Sequence, residues 1–151
     1  MKIVMPGGSG QVGTVLARAL HSEGHDVVVL SRQPRVRPWR VVGWDGATLG
    51  ASSREVDGSD VVINLTGRSV NCRYTARNRQ EILESRVTAT RLLGDAVSHA
   101  QRPHRLWLQA STATIYAHRY DAANDEVSGL SGGDERDLPS AWQCSCAPRR
   151  N

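Results

Sequence analysis

Three glycines near the start of the chain stand three residues apart, a spacing that suits the binding of a diphosphate. Gly7, Gly10 and Gly13 follow a short apolar strand and lead into a segment with helical spacing. This order presents backbone N–H groups and the positive end of a helix to an anion. Gly7 would permit the turn, Gly10 the approach of the ligand, and Gly13 the packing of the helix on the sheet. The other binding residues at this helix start would be Gln11 and Val12. The alternative is a glycine-rich surface turn, and the context favours a dinucleotide site.

The end of the second predicted strand suits a phosphate on the adenosine ribose. A site for the free ribose diol would place Asp or Glu there, roughly 20 residues beyond the glycines. This chain has Ser31 and Arg32 instead, with Arg35 close behind. Hydroxyl and guanidinium groups hydrogen-bond a phosphate, and the missing acid removes the repulsion that would exclude it. We therefore expect NADP rather than NAD, the alternative for Arg32 being a solvated arginine at the strand end.

Two more groups of small or polar residues follow predicted strands and face the same crevice. Asp45 follows the third strand, where it would accept a hydrogen bond from an adenine amino group or simply initiate the turn at Asp45-Gly46. Asn64, Thr66 and Gly67 follow the fourth strand, and the small Thr66-Gly67 pair would let the cofactor pass close by. Asn64 would otherwise only tie strand ends together, and the sequence leaves both interpretations open.

Strands and helices alternate along the chain, which would place all of these residues at one edge of a sheet. The predicted strands cover 2–6, 26–31, 39–44, 60–65 and 104–110, and the predicted helices cover 14–20, 51–56 and 75–100. The last helix carries an apolar stripe that includes Ile82, Leu93 and Val97. This alternation predicts an α/β, Rossmann-like, doubly wound parallel sheet of order 3-2-1-4-5, with a crevice above strands 1 and 4.

Length and composition limit the other classes of function. The 151 residues suffice for one domain, and no segment is long and apolar enough to predict a membrane span. The net charge of +4 comes from scattered arginines that lack interleaved aromatic residues, so no nucleic-acid partner is expected. The three cysteines form neither a disulfide framework nor a zinc motif, which predicts no metal and a reducing, cytoplasmic setting.

Longer motifs resemble a known family over residues 1–135. They are the glycine pattern, segment 61–67, helix segment 79–91 with Glu81–Thr90 as its most specific part, and segment 109–116. Together they resemble the extended, atypical short-chain dehydrogenases/reductases. More narrowly, they resemble the nucleoside-diphosphate-sugar epimerase-like branch, whose members often carry a C-terminal domain of unknown function. The resemblance implies a Rossmann fold, a nicotinamide cofactor and a carbonyl or sugar-type small-molecule substrate.

The resemblance also implies roles for residues beyond the cofactor loops. Thr112 falls on the family's catalytic Ser/Thr position with Ser111 beside it, the alternative being a cap at the strand end. Tyr116 falls on a position that lines the substrate pocket, and Arg86 stands beside the cofactor where many relatives carry Asn. The family's Tyr-x-x-x-Lys pair is absent, because no tyrosine of the chain has a lysine four residues later. A tyrosine with a pKa of about 10 needs such a cation to act as a base, so an enzyme and a non-catalytic binder both stay open.

The tail departs from the family pattern. Residues 1–137 are predicted to form the NAD(P)-binding domain, whereas 138–151 lack apolar periodicity and are predicted to be irregular and disordered. We expect a truncated or frame-disrupted member without its C-terminal part, whose uncovered sheet favours a homodimer. Two classes of function follow. One is an NADP-dependent oxidoreductase or nucleotide-sugar epimerase, and the other is a non-catalytic NADP(H)-binding or redox-sensing protein.

Overall fold

A five-stranded parallel sheet forms the centre of the computed structural model, which describes residues 1–111, 116, 123–125 and 127. The strands are β1 (Lys2–Pro6), β2 (Asp26–Ser31), β3 (Arg40–Gly43), β4 (Val61–Asn64) and β5 (Leu106–Gln109). The helices are α1 (Gln11–Ser22), α2 (Gly50–Val56) and α3 (Ala76–Ser98). The strand order is β3-β2-β1-β4-β5 and every neighbouring pair is parallel, which confirms the predicted Rossmann-like sheet.

Alternate strand residues fill two apolar layers, one on each face of the sheet. The layer on the α1 face consists of Ile3, Met5, Ala17, Val27, Val29 and Trp39. The layer on the α2 and α3 face consists of Val4, Val28, Leu30, Trp44, Val56, Val62, Ala89, Leu93 and Ala96. Strands β1 and β2 contain continuous apolar runs, as expected for the inner strands of a parallel sheet whose two faces are both covered.

The register aligns the carboxyl ends of the strands. Pro6 lies opposite Leu30, Ser31 opposite Gly43, and Asn64 opposite Gln109. The segments that follow these strands therefore emerge along one edge of the sheet. They are the glycine loop, the start of the segment after β2, the turn after β3 and the segment after β4. This is the edge at which α/β sheets bind their ligands.

Helix α3 buries part of the predicted stripe together with two alanines outside it. Ile82 and Leu93 are buried as expected, but Val97 is only partly buried. Ala89 and Ala96 lie fully against the sheet, at 0% and 3% exposure. A search for large apolar side chains misses these positions, because a small side chain is what lets a helix approach a sheet closely. The N-terminus of α3 is capped by Thr75, whose Oγ1 accepts the N–H of Asn78 at 3.2 Å.

The chain divides into two compact units, Met1–Ala110 and Ser111–Asn151. Within the described residues, the first unit contains the five strands and the three helices. The predicted domain limit after residue 137 and the predicted disordered tail at 138–151 lie outside the described residues and stay predictions. None of the helices within the described ranges combines the length and the apolar character that crossing a bilayer requires.

Candidate functional site

The chain leaves β1 through a turn that requires glycine. Gly7 has a φ of +74°, a backbone conformation that L side chains rarely adopt. A Cβ at this position would lie 2.7 Å from the backbone N and Cα of Thr66. The N–H of Gly7 donates to the carbonyl of Leu30 at 2.9 Å. The predicted turn is therefore present, and it is held between β2 and the segment that follows β4.

Helix α1 begins in direct backbone contact with this loop. A Cβ on Gly13 would lie 2.4 Å from both Cα and the carbonyl oxygen of Gly8. Gly8 is itself buried, and a Cβ there would lie 2.9 Å from Cβ of Met5. The sequence predicts that Gly13 packs the helix on the sheet. The structure shows that its nearest neighbours are backbone atoms of Gly8 in the glycine loop, and packing on the sheet itself stays a prediction.

Gly10 leaves open space in front of the helix start. Its backbone is extended, with φ −71° and ψ 179°, and a Cβ there would meet only the carbonyl oxygen of Gly7, at 3.8 Å. Thr14 is the first residue of α1 whose N–H bonds to a carbonyl, that of Gly10 at 2.8 Å. At the start of α1, the amides of Gln11, Val12 and Gly13 bond to no carbonyl within the described residues. No acidic residue stands in the first turn to offset the positive end of the helix.

Ser31 joins the end of β2 to the glycine loop. Its side chain is buried, with the residue 6% exposed. Ser31 Oγ donates to Ser9 Oγ at 3.0 Å and accepts the N–H of Gln33 at 3.2 Å. The hydroxyl predicted to bind phosphate therefore also fixes the position of a second hydroxyl, that of Ser9.

Two cavities flank the end of β2, and they separate the two predicted arginines. A cavity of about 230 Å³ is lined by Ser9, Ser31, Arg35 and Arg37, among others. A more open cavity of about 440 Å³ is lined by Arg32, Gly43, Trp44, Asp45 and Thr48. The structure thus groups Ser31 with Arg35 and groups Arg32 with Asp45. An arginine therefore lies on each side of the strand end.

Asp45 forms the turn after β3. Its exposed carboxylate accepts the N–H groups of Ala47 and Thr48, each at 2.9 Å, and the hydroxyl of Thr48 at 3.0 Å. Hydrogen bonds from these amides, that of Ala47 foremost, lower the pKa of Asp45. This is the turn-forming role that the sequence left open beside adenine binding. A contact between Asp45 and adenine stays a prediction.

Asn64 ties β4 to its neighbours. The residue is 0% exposed. Its Nδ2 donates to Gln109 Oε1 at 2.9 Å and to Thr90 Oγ1 at 3.3 Å, and its Oδ1 accepts the N–H of Thr66 at 3.0 Å. These contacts agree with one of the two roles that the sequence left open, that of tying strand ends together. A contact between Asn64 and a cofactor stays a prediction. Thr66 Oγ1 is buried and has no hydrogen-bond partner within the described residues, and the Thr66 backbone lies beside Gly7.

Arg86 lies against the backbone of the segment after β4. A Cβ on Gly67 would lie 2.9 Å from Cζ of Arg86. The guanidinium donates to the carbonyls of Ile82 at 2.9 Å and Arg68 at 3.1 Å. Burial lowers the pKa of this guanidinium, which nonetheless stays charged at neutral pH. Arg86 therefore supports the same segment that touches the glycine loop.

The site lies within a stretch that matches a family of known proteins. Residues 3–131 match the NAD dependent epimerase/dehydratase family. The chain belongs to this family.

Curated relatives show the same relation at moderate identity. Epimerase family protein SDR39U1 of Bos taurus is 32% identical, over 89% of this chain and 44% of its own length. Epimerase family protein YfhF of Bacillus subtilis is 34% identical, over 89% of this chain and 45% of its own length. The crystal structure of human SDR39U1 (isoform 2) with NADPH has a TM-score of 0.77 at 25% identity, over all of this chain and 50% of the human one. This epimerase-family chain thus spans less than half the length of these curated relatives.

The family positions predicted for catalysis fall in the second compact unit. Ser111 is exposed and Tyr116 is partly buried, whereas Thr112 lies outside the described residues. Their catalytic and substrate-binding roles stay predictions. Among the described residues, no group of three or more His, Cys, Asp or Glu side chains is arranged to hold a metal ion.

Three residues at the site were not predicted from the sequence. Gly8 is needed because the helix start packs on its backbone, and the adjacent Gly7-Gly8 pair is the signal that could have shown it. Ser9 bonds to Ser31, and the presence of a hydroxyl within the glycine loop is the signal that could have indicated its role. Arg37 lines the same cavity as Arg35, but nothing in the spacing of the arginines distinguishes it from the others in this segment.

Proposed function

We propose that this chain binds a nicotinamide dinucleotide, with NADP preferred to NAD. We further propose that it functions as an NADP-dependent oxidoreductase or nucleotide-sugar epimerase acting on a carbonyl or sugar-type small molecule. The observation that carries the proposal is the start of α1. Gly10 leaves open space there, and the next three amides bond to no carbonyl within the described residues. Membership of the family and the NADPH in the human relative's structure support it.

The residues at this edge of the sheet fit a dinucleotide. The amides at the start of α1 would bind the diphosphate, with the helix dipole adding positive potential. The buried, unpartnered hydroxyl of Thr66, a residue whose backbone lies beside Gly7, offers one more hydrogen-bonding group within the described residues. A guanidinium from either side of the strand end, that of Arg32 or that of Arg35 with the Ser9 hydroxyl, would bind the ribose phosphate. When bound, the nicotinamide ring gives or takes a hydride, and Thr112 with Ser111 would polarise the substrate carbonyl.

A second candidate is a non-catalytic NADP(H)-binding or redox-sensing protein, and the position of the chain's single lysine favours it. Lys2 lies at the amino end of β1, at the edge opposite the glycine loop. Its Nζ lies 3.6 Å from the Glu55 carboxylate and donates to the Asp57 carbonyl at 3.3 Å. Lys2 is therefore placed to stabilise the edge of the sheet opposite the glycine loop. On this candidate, binding occurs without turnover.

Calorimetric titration of the 151-residue chain with NADPH and NADH tests the proposal. Binding of NADPH, tighter than that of NADH, is the expected result. Absence of heat with either nucleotide, in protein that is folded by far-UV circular dichroism, would overturn it. Turnover of sugar nucleotides or quinones in the presence of NADPH would favour the enzyme. Binding with no turnover across that panel would favour the non-catalytic protein.

Replacing Arg32 with aspartate should shift the preference from NADPH towards NADH. The change removes a guanidinium beside the strand end and introduces the acid that suits a ribose diol and repels a phosphate. We expect the ratio of NADPH to NADH affinity to fall by about tenfold or more, the scale of a hydrogen bond to a charged group. Arg18→Asp is the matched control, since Arg18 is an exposed arginine of α1. An unchanged ratio in Arg32→Asp, or an equal fall in the control, would contradict the role of Arg32.

The remaining expectations belong to the proposal as well. The homodimer and the cytoplasmic location stay predictions from the sequence, as does the absence of a nucleic-acid partner. Size-exclusion chromatography with light scattering measures the mass in solution directly and so tests the dimer.

A further inference from the structure

The first half of α3 holds the segment that follows β4. We call this segment, Leu65 to Arg68, the post-β4 segment. The N–H of Arg68 donates to Ser85 Oγ at 3.0 Å, and the Arg68 guanidinium donates to Asn78 Oδ1 at 3.0 Å and pairs with Glu81. Arg86 adds the hydrogen bond to the Arg68 carbonyl. Both backbone polar groups of Arg68 and its side chain are thus fixed by a single helix.

Among these residues, Arg86 also makes a hydrogen bond within α3 that fixes the direction of its own side chain. One nitrogen of its guanidinium donates to the carbonyl of Ile82, one turn earlier in α3, and another donates to the carbonyl of Arg68. The planar, forked guanidinium can reach both acceptors at once, which a lysine ammonium cannot do with the same geometry. The side chain fills the space that a Cβ on Gly67 would otherwise enter. Arg86 therefore acts as a spacer of defined length between α3 and the post-β4 segment.

The post-β4 segment in turn lies against the glycine loop. The backbone of Thr66 is so close to Gly7 that a Cβ on Gly7 would lie 2.7 Å from it. The Thr66 N–H is held by Asn64, whose side chain also donates to Thr90 of α3. A displacement of the post-β4 segment would therefore move backbone that contacts the turn from β1 to α1. Interiors packed at this density transmit such displacements.

We propose that Arg86 is a positioning residue for the nucleotide site, acting through the backbone of Gly67 and Arg68 on the glycine loop. The inference rests on the proposed nucleotide binding and adds a role to it. It also gives a physical reason for the helix motif between Glu81 and Thr90. Glu81 and Ser85 hold Arg68, Arg86 holds the segment at its carbonyl, and Thr90 holds Asn64. On this account the positive charge of Arg86 matters less than the geometry of its fork.

Three variants of the 151-residue chain test the role by calorimetric titration with NADPH. Arg86→Met keeps the aliphatic stem and removes both hydrogen bonds, and we expect NADPH affinity to fall by about tenfold. Arg86→Lys keeps the charge without the fork and should restore less than half of the lost binding free energy. Arg91→Met removes an exposed arginine of the same helix and should bind as the unsubstituted chain does. Unchanged affinity in Arg86→Met, or full recovery in Arg86→Lys, would overturn the proposal.

A double substitution separates positioning from a general loss of stability. Gly67→Ala drives a Cβ against the Arg86 guanidinium and should weaken NADPH binding by itself. If both residues act on one segment, Gly67→Ala combined with Arg86→Met should bind no more weakly than the weaker single variant. Additive losses would contradict a shared action. All titrations are run well below each variant's melting midpoint, so that a lower melting temperature alone changes no affinity. Failure of the unsubstituted chain to bind NADPH would refute the proposed function, whereas binding that is equal in every variant refutes only this inference.

Discussion

The Gly13→Ala variant is expected to unfold at a midpoint roughly 6 °C or more below that of the unsubstituted chain. A Cβ at position 13 would lie 2.4 Å from two backbone atoms of Gly8, a distance that real Cβ atoms do not show. No rotamer change relieves this contact, because both partners are backbone. Gly8 cannot retreat either, since it is buried against Met5 and Val29. We therefore expect the clash to cost about 3 kcal/mol or more, against a gain of at most about 1 kcal/mol in helix propensity.

Gly94→Ala is the matched control for this prediction. Gly94 is also a helical glycine, but nothing lies within 4 Å of a Cβ built on it. Here only the propensity difference acts, and the midpoint should rise by about 3 °C, which corresponds to about 1 kcal/mol. Thermal unfolding of both variants, followed by far-UV circular dichroism, measures the pair. Equal shifts in the two variants would contradict the close packing of α1 on the glycine loop.

The strand order could be predicted from the sequence because local pattern and global topology agree in this chain. The run Asp26–Ser31 is apolar on both faces, and the structure has a strand with those bounds in the second position from the edge. Turn residues and short connections then leave few topologies for alternating strands and helices. The bounds of β5 were predicted less accurately, because the strand covers Leu106–Gln109 whereas the sequence predicted 104–110. The three further residues at its ends carry no periodic signal that separates strand from connection.

The contacts within the site could be predicted only in part. A glycine with positive φ, such as Gly7, is visible in a sequence because the turn type demands it. The partners of Gly13 and Gly67 are not visible, because they depend on which distant backbone or side chain comes near. The separation of Arg32 from Arg35 is of the same kind. Although Arg32 and Arg35 are three residues apart along the chain, they line two different cavities. The path of the segment between β2 and β3 determines this separation.

Asn64 shows why a residue type alone does not assign a role. From the sequence, an amide at the end of a central strand suits a cofactor contact and a tie between strands equally well. In the structure, its side chain makes three hydrogen bonds inside the protein, to β5, α3 and the segment after β4. Such satisfied, buried groups specify one arrangement of the strand ends. The residue thus contributes to the site first by holding Thr66 in place.

The Gly10→Ala variant is expected to lose NADPH affinity by a factor of about ten to one hundred while keeping its fold. The added methyl group meets only the carbonyl oxygen of Gly7, at 3.8 Å, and the backbone at position 10 is extended, so the ligand-free protein tolerates it. Losing glycine at the N-cap of α1 costs at most about 1 kcal/mol, so the ligand-free midpoint should fall by no more than about 3 °C.

The expected loss of affinity arises because the methyl group would occupy the space in front of the amides of Gln11, Val12 and Gly13. A diphosphate bound there would be displaced, and overpacking of this size costs about 1 to 3 kcal/mol. Calorimetry with NADPH and melting without ligand measure the two quantities separately, with Gly94→Ala as the control that should bind normally. Unchanged affinity in Gly10→Ala would mean that no ligand lies against the start of α1. A large fall in the ligand-free midpoint would mean that position 10 is not open. Loss of binding without loss of fold is the result that only a ligand at this helix start produces, because nothing within the described part of the protein competes for that space.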